Sequence, residues 1–182
     1  MTELAAKRMN AVEFLDWAQA QEKGRYELWR GEIVAMAPER AEHVTAKFKI
    51  ARALSDAIAR AGLPCEAFVD GLGVAIDGET VYEPDALVNC GEKVAPESLL
   101  APAPAIIVEV ISPSSRNIDK AAKLSGYFRL ESLSHYLVVD LSSRLVLHYR
   151  RQGEQIVVSF VKEGAILLDP PGLSMEMADI FS

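Results

Sequence analysis

Residues 105–111 read AIIVEVI, a run with the length and β-branched content of a strand buried on both faces. One of the seven is Glu109. Taking an unpaired carboxylate out of water is expensive, so a chain does not place one in an apolar strand without an answer to it. Three answers are open: a partner rescues Glu109, the strand is less buried than its neighbours suggest, or a cation sits beside it. A side-chain period of two puts Ile107, Glu109 and Ile111 on one face, with Ile106, Val108 and Val110 on the other. Glu109 thus shares its face with hydrophobes, and its partner must come from another element.

Upstream, the nearest candidate is Asp85 in VYEPDALVN. Pro84 cannot donate to a ladder, so the strand is interrupted or at an edge where Asp85 stands. A break of this kind aims a carboxylate into a cleft. Two bare carboxylates about 4 Å apart would repel by about 4 kcal/mol at an effective dielectric of about 20. A proton, a lysine or a divalent cation would have to offset that, and hard oxygen ligands suit Mg²⁺ or Mn²⁺. Downstream, SPSS is a turn and NIDKAAKLSGYFRLE a helix that places Asp119, Lys123 and Tyr127 on roughly one face. So short a connection packs this helix near the end of the Glu109 strand, and Lys123 can reach back toward the acids. A plain Asp119–Lys123 surface ion pair is the alternative.

Elsewhere, NAVEFLDWAQAQ predicts a short helix capped by Asn10, and RYELWRGEIVAMAP two strands around Arg30-Gly31. Glu42 to Ala61 predicts a long helix with an apolar stripe of Val44, Phe48, Ala51, Leu54, Ile58 and Ala61, stopped by Gly62. CEAFVDGLGVAI and ETVYEPDALVNC predict a hairpin turning near Asp77-Gly78, and GEKVAPESLLAPAP a loop. HYLVVDLSS, RLVLHYRR and QIVVSFVKE predict strands, the last two joined at Gln152-Gly153. AILLDPPGLSMEMADIF predicts a last strand and a helical turn. The order fits an α/β fold, an α+β mixed sheet flanked by helices, in a single domain over residues 1–182.

The chain carries a formal charge of −7, which argues against non-specific coating of nucleic acid but leaves room for a local basic groove. Lys47, Lys49 and Arg52 form one basic group and Arg116, Lys120 and Lys123 another; by patterning alone each reads as a solvated helix face. No run approaches a membrane span and MTELAAKRMN has no signal-peptide core, which predicts a cytoplasmic protein. Cys65 and Cys90 lack metal-site spacing and are expected as reduced thiols.

PD in one strand, Glu in the next and a lysine nearby resembles the PD-(D/E)XK nuclease superfamily. More closely, EVISPSSRNIDKAAKLSGYF followed by HYLVVD, together with YELWRGEIVAMAP and His43, resembles a bacterial family of restriction-endonuclease-like proteins, over about Val12 to Phe160. The resemblance implies a restriction-endonuclease-like core with flanking helices, and metal-dependent phosphodiester hydrolysis, on DNA. It implies that Asp85 and Glu109 hold Mg²⁺ or Mn²⁺ with the Val110 carbonyl as a further ligand. It further implies that Lys123 orients the attacking water and that Glu27 completes the acidic cluster. A homodimer is a further implication, with the strand-rich carboxy-terminal third as its place. His43, Lys47 and Tyr127 are candidates for substrate contact, whereas His135 and His148 receive no role.

The chain departs from the superfamily pattern at Ile111, where a lysine two residues after the acid would stand; Lys123 on the following helix takes its place. Leu137 stands where the family has tryptophan, and ESLS before His135 lacks a glycine. One rival reading keeps the fold as a binding or regulatory module without hydrolysis. Another, a two-carboxylate glycosidase, fits poorly with so few and such scattered aromatics.

Overall fold

A computed structural model of the chain describes residues 8–111 and 120–181. The predicted SPSS turn, Arg116, Asp119 and the start of the helix that follows lie outside the described residues.

The strand of the opening question is β7 (Pro104–Ile111), and it is interior. It pairs antiparallel with β6 (Ala86–Cys90) and parallel with β8 (His135–Asp140). With β3 (Cys65–Val69), β9 (Leu145–Gln152) and β10 (Gln155–Val161) these form a six-stranded mixed sheet in the order β10-β9-β8-β7-β6-β3. One face, carrying Ile106, Val108 and Val110, packs on α2 (Ala41–Ala61). The other, carrying Ile107, packs with Tyr127 and Phe128 at the end of α3 (Lys120–Tyr127). The period of two thus divides the strand between two cores as expected.

A second sheet has the order β2-β1-β5-β4, from β1 (Tyr26–Trp29), β2 (Glu32–Ala35), β4 (Val74–Asp77) and β5 (Thr80–Tyr82). α1 (Ala11–Gln19) covers it through Phe14, which packs with Leu28 and Val81. Asn10 and Glu13 cap α1 reciprocally, satisfying two backbone donors that helix geometry leaves open.

Some expectations need correction. Val44 and Phe48 are 50% and 60% exposed, and the buried stripe of α2 begins instead with His43, Ala46, Lys47 and Ile50. Polar residues can occupy that face because acidic partners meet them there. The two halves of the predicted hairpin each split: β4 and β5 form the hairpin at Asp77-Gly78, whereas β3 and β6 pair in the other sheet. The tail holds two strands, β11 (Ala165–Leu168) and β12 (Leu173–Glu176), before α4 (Met177–Phe181). Cys65 and Cys90 are joined by a disulfide rather than reduced. The β3–β6 register sets them directly opposite, a long-range pairing that spacing along the chain does not reveal.

Candidate functional site

Asp85 owes its position to a change of sheet. The chain leaves β5 at Tyr82, passes Glu83, Pro84 and Asp85, and enters β6 at Ala86. Pro84 has no N–H for either ladder, so it sits at the seam. Asp85 is therefore at an interruption, as expected, but at the mouth of an interior strand rather than on an edge. Ala86 pairs with Val108, so extending the antiparallel register by one residue brings Asp85 opposite Glu109. Asp85 Oδ2 accepts the Val110 N–H at 2.6 Å and lies 3.3 Å from His43 Nε2. Its Oδ1 is 3.5 Å from Lys47 Nζ. Burial pushes this carboxyl up, but the hydrogen bond and charge of His43, the Val110 amide and Lys47 outweigh it and hold Asp85 below the usual aspartate range. Asp85 in turn raises His43 against the opposing effect of burial.

Glu109 is answered from α3. Its Oε1 accepts from Lys123 Nζ at 2.8 Å and from the Tyr127 hydroxyl at 2.7 Å. Lys123 Nζ also donates to Glu27 Oε1 at 2.9 Å, and that oxygen accepts the Glu83 N–H at 2.9 Å. One ammonium thus ties β1, β7 and α3 together. Lys123 is no solvated face. Burial pulls its ammonium down, yet Glu109 and Glu27 raise it well above an ordinary lysine. Burial pushes Glu109 up, Lys123 opposes this, and the charges of Asp85 and Glu27 add to it, leaving Glu109 at about 7. Close approach of α3 depends on Gly126, where a β-carbon would lie 3.0 Å from Tyr82 Cε2. Lys123 Nζ stands 5.4 Å from the centre of the Tyr82 ring.

A second group of charges lies behind Asp85. Lys47 is 1% exposed, with Asp70 at 2.7 Å and Glu39 at 2.5 Å. Arg25 meets Glu83, Asp70 and Glu39 at 2.7, 2.6 and 3.0 Å. Burial acts to lower both cations; their acidic partners win and raise them. Lys47 thus leaves the solvated face expected of it. Sequence reasoning did not find Arg25, Glu39, Asp70 or Glu83. Arg25 and Glu83 do adjoin stretches already singled out, RYELW and the PD dipeptide, and could have been found there. Asp70 and Glu39 lie in connections whose mutual approach only the fold reveals.

The structure therefore brings Asp85, Glu109, Val110, Lys123, Glu27, His43, Lys47 and Tyr127 to one seam. His43, Lys47 and Tyr127, expected as candidates for substrate contact, are buried and bound to the acids. Among the described residues, Glu27, Glu39, Asp70, Glu83, Asp85 and Glu109 outnumber the basic side chains Arg25, Lys47, Lys123 and His43 that meet them. Among the described residues no donor reaches Glu109 Oε2. A strand residue's N–H and C=O point to the same edge, so the Val110 carbonyl faces the Asp85 side. Two carboxylates and a carbonyl are a hard-oxygen set that fits Mg²⁺ or Mn²⁺. Glu39, His43 and Asp85 form another group, each offering a ligand atom within 4.8 Å of the others.

The chain's likenesses agree with this fold. It is 31% identical over 159 residues to "Uncharacterized protein sll1609" of Synechocystis sp., covering 85% of this chain and 88% of that one. It is 24% identical over 177 residues to "Uncharacterized protein slr1290" of the same organism, covering 96% and 92%. Among solved structures it superposes with TM-score 0.71 and 17% identity on "a putative nuclease belonging to DUF820" from Anabaena variabilis, over 95% of this chain and 97% of that one. The model of the family described as "Uma2: Putative restriction endonuclease" matches residues 11–178, nearly the whole chain, and the protein belongs to that family.

Proposed function

We propose that this protein is a Mg²⁺- or Mn²⁺-dependent nuclease that hydrolyses phosphodiesters of DNA, acting as one domain. The observation that carries the reading is Lys123, which reaches from α3 to bridge Glu109 and Glu27 beside Asp85. Asp85, Glu109 and the Val110 carbonyl would hold the ion, which would supply Lewis acidity and lower the pKa of a bound water.

The chain's own groups do the rest. Glu109 and Glu27 keep Lys123 protonated, so it presents a fixed positive charge where a phosphoryl group becomes more negative. Tyr127 fixes the orientation of Glu109, and His43 that of Asp85. Lys47 is too enclosed to touch a phosphate; we assign it, with His43 and Tyr127, the holding of the acids. Arg25 and Glu83 fasten the loops around them. We also propose the cytoplasm as its compartment; there thiol reductants would keep Cys65 and Cys90 open, and the bonded pair would be the oxidised state.

The test is Mg²⁺ or Mn²⁺ titration by calorimetry on the wild type, Asp85→Asn and Glu109→Gln, paired with cleavage assays on plasmid and single-stranded DNA with Lys123→Ala alongside. Ion binding lost in both acid variants, and cleavage lost in all three, is the expected result. Equal ion binding by wild type and acid variants removes the site. A chain that binds DNA without cutting it under any ion is the binding module instead.

A further inference from the structure

α2 leaves two large apolar side chains in solvent. Val44 and Phe48 are 50% and 60% exposed, one turn apart in its first half. Each comes one residue after a side chain that touches Asp85: Val44 after His43, at 3.3 Å, and Phe48 after Lys47, at 3.5 Å. Successive helical residues are turned by about 100° around the axis, so the apolar pair stands on the shoulder of the helix next to the acids. A third exposed apolar residue lies close by. Val69 is 42% exposed and pairs with Ala86, which packs on α2, so it shares the α2 face of the sheet. Its neighbour Asp70 reaches Lys47 at 2.7 Å, which brings Val69 near the same turn of the helix.

The ends of this row are basic. Arg40 and Arg52 continue the spacing of four from Val44 and Phe48, and both are exposed. Arg40 caps α2 with its backbone, its side chain making no cap bond. Arg52 meets Asp56 at 3.9 Å, an exposed pair of little strength. At 1.5 Å of rise per residue the two arginine positions lie about 18 Å apart along the axis. Apart from the buried Lys47, residues 40–60 carry Arg40, Lys49, Arg52 and Arg60 against Glu42 and Asp56. The chain as a whole has the opposite balance, 19 basic residues to 26 acidic. A row reading basic, apolar, apolar, basic suits a polyanion that also carries flat apolar faces. Nucleic acid is such a polymer. In a duplex its base faces are stacked on one another, and only an unpaired strand offers them to a side chain.

From this row and its place beside Asp85 we infer that the first half of α2 is the docking face for single-stranded DNA, with Phe48 stacking on an unpaired base and Arg40 and Arg52 meeting phosphates on either side. The inference rests on the nuclease reading for its choice of DNA and deepens it by naming the strand class. A base seated on Phe48 holds a neighbouring phosphate near the mouth of β6 and β7, where Asp85 and Glu109 stand. Phe48 has no hydrogen-bonding group and reads no sequence, so the preference is for unstacked strands of any sequence.

The experiment is fluorescence anisotropy on the full chain with a labelled single strand of mixed sequence and with its duplex, in Ca²⁺ and in EDTA. The single strand is expected to bind about tenfold or more tightly than the duplex. Phe48→Ala should weaken single-strand binding by about 5–100-fold and leave duplex binding unchanged, whereas Phe48→Trp should keep it. The fluorescence that Phe48→Trp adds should be quenched by the single strand and not by the duplex. Arg40→Ala and Arg52→Ala should each weaken binding and lower its log–log salt slope by about 0.7. Circular dichroism checks that each variant folds; were Phe48→Ala to misfold, the quenching of Phe48→Trp decides. A wild type that binds no single strand, or binds duplex as tightly, overturns the face. So does a folded Phe48→Ala variant that binds single strand normally. The two readings fail separately. Phe48-dependent binding without cleavage in Mg²⁺ or Mn²⁺ keeps the face and removes the nuclease. Cleavage of single strand unaffected by Phe48→Ala keeps the nuclease and removes the face.

Discussion

Asp85 and Glu109 face each other across the mouth of β6 and β7, yet their surroundings drive them apart. Asp85 meets donors: the Val110 amide, His43 and, farther off, Lys47. Glu109 shares its one ammonium with Glu27 and feels Asp85 as a like charge, and its carboxyl rises to about 7. One acid is built to stay ionised; the other is built to want either a proton or a cation. Two carboxylates of nearly equal chemistry thus acquire different roles from their neighbours alone.

The sharpest way to break this contrast is to neutralise the members in turn. Asp85→Asn leaves His43 and Val110 without their anion, and Glu109→Gln removes the negative charge that Lys123 and Tyr127 donate to; each is expected to lower cleavage by about 10³-fold or more, read in single-turnover assays. Lys123→Met should cost about 10²–10³-fold. In the same variant Glu109 should titrate above its wild-type value, because the group opposing its rise is gone; carboxyl NMR shifts against pH would read this. His43→Gln, acting through Asp85, should weaken ion affinity by about 10–100-fold in calorimetry.

A gentler test uses pH on the ion-free protein. Between about 4.5 and 7 the folded chain holds a proton on Glu109 that the unfolded chain has released, so stability falls as pH rises through this window. His43, raised by Asp85, acts in the same direction from about 6.5 upward. Asp85 acts oppositely: its contribution is present above the ordinary aspartate range and is lost as pH falls. Melting temperatures across pH should therefore decline toward neutrality, flatten in Glu109→Gln, and flatten in wild type when Mn²⁺ is added. The smallest effect on the site is expected from opening Cys65–Cys90, which closes β3 on β6 away from the acids. Reduction should lower stability by about 2–4 kcal/mol in denaturant titration while the two acids keep their contrast.

Much of the Glu109 half was legible in the sequence. A carboxylate in an apolar strand, a short connection and a lysine in the next helix constrain one another locally, and the α3 ion pair is their outcome. The Asp85 half was legible only in outline. Pro84 announced an interruption, but its partner strands come from both sheets, and the crossing is a non-local event. Lys47 and His43 lie on a helix whose buried side was read rightly at Ala51, Leu54 and Ile58 and misjudged in its first two turns, at Val44 and Phe48. Val44 and Phe48 look like core until one sees that Glu39, Asp70 and Asp85 line the opposite wall. That Cys65 and Cys90 can pair was missed for the same reason, since register between non-consecutive strands leaves no mark in spacing.

Gly126 shows how finely this arrangement is set. Its missing methyl lets α3 settle against the Tyr82 ring, and Lys123 rides on the same helix one turn earlier. The bare glycine thereby helps to set the reach of an amine that spans two acids. The span of that amine is a mechanical dimension of the scaffold, and residues that never touch a ligand can lengthen or shorten it.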